Sequence, residues 1–68
     1  MINTRLLRAL WKENGDTMED YAKLIGKSVT TLQDRMKGKK DFLRDELNKT
    51  RKHYNLSDER FMSIFFSE

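Results

Sequence analysis

Leu6, Leu7, Leu10 and Trp11 recur at i, i+1, i+4 and i+5, one apolar stripe that predicts a helix starting at Asn3 or Thr4. Either polar residue can cap it, and Gly15 ends it, while Arg5, Arg8, Lys12 and Glu13 take the wet faces. A second stripe of Met18, Tyr21, Ala22 and Ile25 follows Thr17. Asp20, three residues after Thr17, can close a capping box as a shorter version of the usual Glu. Glu19 and Asp20 also suit the positive end of that helix's dipole. Gly26 stops the helix, and Ser28 can cap a third after only Lys27. At about 100° per residue, Val29, Leu32 and Met36 cluster on one side of it, and Thr30, Gln33, Asp34 and Lys37 project from the other. Gly38 ends this helix, and Lys39 and Lys40 follow. A fourth helix is expected from Asp41 or a residue just after it, with Leu43, Leu47 and Tyr54 apolar and Asn55 as a left-handed cap. Ser57, followed by Asp58 and Glu59, opens a last helix with Phe61, Ile64 and Phe65 at i, i+3 and i+4.

No stretch alternates with period two, and β-branched residues are few and scattered. The fold class expected is all-α, a single domain of five short helices over 1–68. Proline is absent, and the three glycines fall where an apolar pattern breaks. At 68 residues the chain is near the low end of what one hydrophobic core stabilises alone. The chain has no cysteine, which removes disulfides, zinc knuckles and thiol nucleophiles. No apolar run is long enough for a signal peptide or a membrane span, so the expected location is cytoplasmic, with no membrane partner.

Charge adds a direction to this outline. The net charge is +3, with residues 1–40 at +4 and residues 41–68 at −1. A basic half beside a near-neutral half suggests one anion-facing surface. Catalysis is not expected: one histidine and no glycine-rich phosphate loop leave nothing to assemble into a nucleophile–base pair or a metal site. Neither a cofactor nor a small-molecule substrate is expected in so small a core. His53 reads as an exposed residue at a helix end, and Trp11, Tyr21 and Phe42 read as core because each falls on an apolar stripe.

Ala22, then Gly26 four residues later, then Leu32 six beyond that, has the spacing of two helices crossing over a tight turn: small residue, turn glycine, apolar anchor. With Ser28 as cap, the stretch 17–38 is a candidate helix-turn-helix. Here the chain resembles the small helix-turn-helix proteins of the phage repressor and Cro class, the XRE family, over nearly its whole length. "DTMEDYAKLIGKSVTTLQDRMKGK" follows the family's threonine-capped helix, glycine turn and serine-capped recognition helix. "DFLRDELNKTRKHYNLSDERFMSIFF" is similar to the tail of small regulators from temperate phages of Gram-positive bacteria, where a phenylalanine, a helix, an "NLS" turn and a terminal "IFF" recur.

The resemblance implies a λ-repressor-like domain that binds operator DNA. Ser28, Val29, Thr30, Gln33 and Asp34 occupy positions where relatives meet the major groove, with phosphate contacts near Met18 and in the loop after the third helix. The residues agree on physical grounds. Helix N-termini offer free N–H groups to phosphates, and Lys37, Lys39 and Lys40 add counterion release. Thr30, Thr31 and Gln33 can reach base edges, and Val29 can meet a thymine methyl. Three positions depart from the family pattern. Lys27 and Arg35 can lay their stems over the core and offer charge to phosphate, whereas Asp34 can only read a cytosine amino group, orient Lys37 or Arg35, or weaken binding. A lone recognition helix reads few base pairs, and the length leaves no room for a separate oligomerisation domain. A protein interface at Met62, Phe65 and Phe66 is therefore expected, with an identical copy or with the opposing repressor of a phage switch. In the second case the chain would act as an antirepressor.

Overall fold

The structure is a computed structural model, and it describes residues 2–67. Among them are five helices and no strand: α1 (Thr4–Glu13), α2 (Met18–Ile25), α3 (Val29–Met36), α4 (Arg44–His53) and α5 (Asp58–Phe65). The all-α, five-helix expectation is met. No helix of the described residues is long and apolar enough to cross a membrane.

Local chemistry sets the boundaries. The Asn3 side chain accepts from the Leu6 N–H, and α1 unwinds past Asn14, with the Asp16 N–H closing back on the Trp11 carbonyl at 2.9 Å. Thr17 and Asp20 form the reciprocal box over α2. Gly26 then takes φ +74°, a left-handed backbone that lets the Lys27 N–H reach the Ala22 carbonyl and turns the chain within three residues into the Ser28 cap of α3. Asn55 is left-handed at φ 51°, as its place after α4 predicted.

The core gathers Leu7, Leu10 and Trp11 of α1 with Tyr21, Ala22 and Ile25 of α2, Leu32 and Met36 of α3, Leu56, and Phe61, Ile64 and Phe65 of α5. The Asn3 N–H donates to the Ile64 carbonyl at 2.6 Å, which pins the start of the chain to α5.

The fourth helix departs from its apolar reading. It begins at Arg44, three residues after Asp41, and Leu43 is its N-cap, nearly half exposed rather than buried. Leucine has no side-chain acceptor for a cap. Instead the Glu46 carboxylate reaches back to the Leu43 N–H at 3.0 Å. Glu46 and Thr50, at i and i+4, are the fully buried residues of α4, with Leu47 half buried beside them. A polar stripe, satisfied by partners on α2 and α3, is what faces inward.

Candidate nucleic-acid interface

At the foot of α3, Ser28 Oγ accepts the Thr31 N–H at 3.2 Å while its hydroxyl donates to Thr31 Oγ1 at 3.1 Å. Thr31 is therefore part of the cap and only half exposed. Val29 is half buried against the core and keeps part of its surface outward. Thr30 and Gln33 are exposed on the outer face, and Asp34 beside them is half buried. The Gln33 amide Nε2 lies 4.0 Å from Met18 Sδ, so the outer face of α3 and the first residue of α2 are neighbours. Both therefore open onto one surface.

The first turn of α2 brings acidic side chains to that surface. The Thr17 N–H donates to the Asp20 carboxylate and holds its carboxyl below the usual aspartate range. Glu19 is exposed in the same turn. The other end of α3 is cationic. Lys37 is its C-cap, Gly38 continues at φ +83°, and the Lys39 N–H closes on the Asp34 carbonyl at 3.0 Å. Lys37, Lys39 and Lys40 are exposed, and no ion pair within 4.0 Å engages any of them among the described residues.

Two of the expected phosphate cations stand differently. Arg35 is buried: its Nε and Nη2 donate to the two Glu46 oxygens at 2.8 and 3.1 Å, and Glu46 itself is fully buried. Arg35 therefore does not offer its charge to phosphate. Its guanidinium is consumed by the one partner that makes burying a carboxylate tolerable. Lys27, with its side chain about one-third exposed, turns its Nζ to 3.9 Å from the same carboxylate. The cluster of Arg35, Lys27 and Glu46 keeps one excess positive charge, and Lys27 carries it at the surface. Asp34 orients neither Arg35 nor Lys37, since neither pairs with it.

The same network continues inward. The Thr50 hydroxyl donates to the Glu46 carbonyl at 2.9 Å, and Tyr21 Oη is 2.6 Å from Thr50 Oγ1. Glu46, Thr50 and the Tyr21 hydroxyl thus fix α3 against α4 and α2. No apolar periodicity marks them. The available signal was Glu46 at the third position of a helix, where a carboxylate caps, eleven residues after an arginine displaced onto an apolar face.

The expected protein interface separates into two parts. Met62 and Phe66 are each 52% exposed. Phe65 is buried, with Phe42 edge-on to it at 5.4 Å and Phe61 at 5.2 Å, so it belongs to the core and, unlike Met62 and Phe66, reaches the surface only at its edge.

Neither a protein-family model, nor a curated protein, nor a solved structure matches this chain.

Proposed function

We propose that the chain is a sequence-specific DNA-binding transcriptional regulator, a Cro-like repressor of a phage or prophage genetic switch acting in the cytoplasm. In this reading α3 docks in the major groove and the bound protein occludes a promoter. Thr30 and Gln33 meet base edges, with Ser28, Thr31 and the outward part of Val29 at the groove's near edge. The free N–H groups at Met18 and the lysines at 27, 37, 39 and 40 take phosphates. The observation that carries the reading is the exposed face of α3 running directly into Lys37, Lys39 and Lys40, three cations that no acid of the described residues engages. A cationic run spent on surface ion pairs would have little left for DNA. Asp34, whose carboxylate no cation of the described residues engages, restricts the bases that can lie opposite it, because a carboxylate accepts only from an amino group such as cytosine N4.

DNase footprinting on the DNA flanking the chain's own gene tests this. Protection of discrete sites by micromolar protein at low salt supports it, and uniform cutting throughout contradicts it.

The exposed Met62 and Phe66 favour a second reading, in which the domain works mainly by engaging the opposing repressor as an antirepressor. Sedimentation of a mixture of the two proteins separates the readings: a stable mixed complex without footprinting activity supports the second.

A further inference from the structure

A groove of about 710 Å³ opens between the start of the chain, the loop that follows α3, and the ends of α4 and α5 facing it. Ile2, Met36, Phe42, Leu47, Phe65 and Phe66 make its apolar part, and Phe66 leaves half of its surface to solvent. Met62 is not on it. Lys37, Lys40 and Asp41 also border the groove, and none of the three has an ion-pair partner among the described residues. Arg35 reaches it too, but Glu46 neutralises its charge. The free charge at the groove is therefore two lysines against one aspartate.

We propose that this groove binds a short segment of another protein that carries large apolar side chains flanked by aspartate or glutamate, and that its occupancy excludes DNA. The apolar floor gains nothing from phosphate, so nucleic acid is the wrong occupant. A second copy is the wrong occupant as well. Two copies joined symmetrically through this groove would set two patches against each other, each with two lysines to one aspartate, and that net like charge opposes association. Carboxylates flanking an apolar anchor satisfy both features at once: the anchor covers Phe66 and Phe42, and the acids meet Lys37 and Lys40. The exclusion follows from shared groups, since Lys37 and Lys40 are two of the lysines assigned to phosphate. That clause rests on the DNA-binding reading, whereas the groove's preference for an acidic apolar segment does not.

The probe is a blocked, fluorescein-labelled peptide with Leu and Phe at i, i+3 and i+7 and glutamates flanking them. Its controls replace every Glu by Lys, or every Leu and Phe by Ser. Anisotropy without DNA should show the Glu peptide binding at least about tenfold tighter than either control. Amide shifts of the isotope-labelled protein should centre on Phe42, Leu47 and Phe66. Phe66→Ser and Lys40→Glu, both at exposed positions, should each weaken binding about fivefold without lowering the thermal midpoint. Equal binding of the Glu and Lys peptides, shifts centred elsewhere, or no binding at millimolar peptide would overturn the proposal. Self-association abolished by Phe66→Ser would overturn it in favour of a second copy. If the Glu peptide binds as expected and footprinting shows no operator, the groove assignment stands and the exclusion clause falls.

Discussion

Arg35 and Glu46 meet through two hydrogen bonds of 2.8 and 3.1 Å at a site where the carboxylate has no exposed surface. The pair fastens the helix that faces the proposed DNA to the helix behind it, and Thr50 and Tyr21 extend the fastening to α2. Removing one partner strands a buried charge. Arg35→Ala or Glu46→Ala should each cost about 3–5 kcal/mol, whereas the double change Arg35→Met with Glu46→Leu should cost far less or stabilise. Urea denaturation of the three variants decides. Additive losses in the double variant would show that the pair is not coupled.

The turn between α2 and α3 depends on backbone conformation rather than on space. A Cβ at Gly26 would find its nearest heavy atom, Lys49 Nζ, 3.9 Å away, yet φ is +74°. Gly26→Val should therefore destabilise by about 1–3 kcal/mol through strain. Ala22 is buried against this turn, and Ala22→Leu should cost about 1–3 kcal/mol through overpacking. An unchanged melt for Gly26→Val would refute the strained turn, and one for Ala22→Leu would refute the tight packing at Ala22.

Alkaline pH should unfold the domain through its tyrosines. Burial pushes the Tyr21 hydroxyl above its ordinary value of 10.0, with the Glu46 charge adding to it. Burial does the same for Tyr54, whose hydroxyl also donates to Asp16 at 2.6 Å. A folded pKa raised above the unfolded one favours the fold fully below the unfolded value. That contribution is lost as pH rises from about 10 toward the raised folded values. Stability should be flat from about pH 7 to 9 and fall steeply beyond pH 10, and Tyr54→Phe should shallow the fall. Absorbance titration gives the direct check: phenolate appearing at the ordinary value in the folded protein would contradict the assignment.

Helices α1, α2, α3 and α5 were legible in the chain because their apolar stripes coincide with strong caps. Asn3, Thr17, Ser28 and Ser57 each accept the expected backbone N–H. The fourth was legible as a helix but not in the face it buries, because its buried residues, Glu46 and Thr50, are polar and go inward only when Arg35 and Tyr21 supply partners. Such pairings join residues far apart in sequence, which periodicity does not detect. For the same reason Arg35, which the sequence offers to phosphate, belongs to the scaffold through Glu46. In "FMSIFF" the stripe of Phe61, Ile64 and Phe65 goes inward as its spacing predicts, which leaves Phe66 and Met62, and not Phe65, as the exposed part of the expected protein interface.

The central claim is that α3 reads bases while the lysines after it hold phosphate. Anisotropy titration of the footprinted site across salt concentrations measures both, with wild type, Lys37→Ala, Lys39→Ala, Lys40→Ala, Thr30→Ala and Gln33→Ala. Each lysine change should weaken all DNA sequences alike and flatten the salt slope by up to about one unit. Thr30→Ala or Gln33→Ala should keep the slope and relax preference at particular base pairs, by about 1–3 kcal/mol per contact. Equal loss on every DNA sequence for all five variants, or no binding by the wild type at low salt, would contradict the claim.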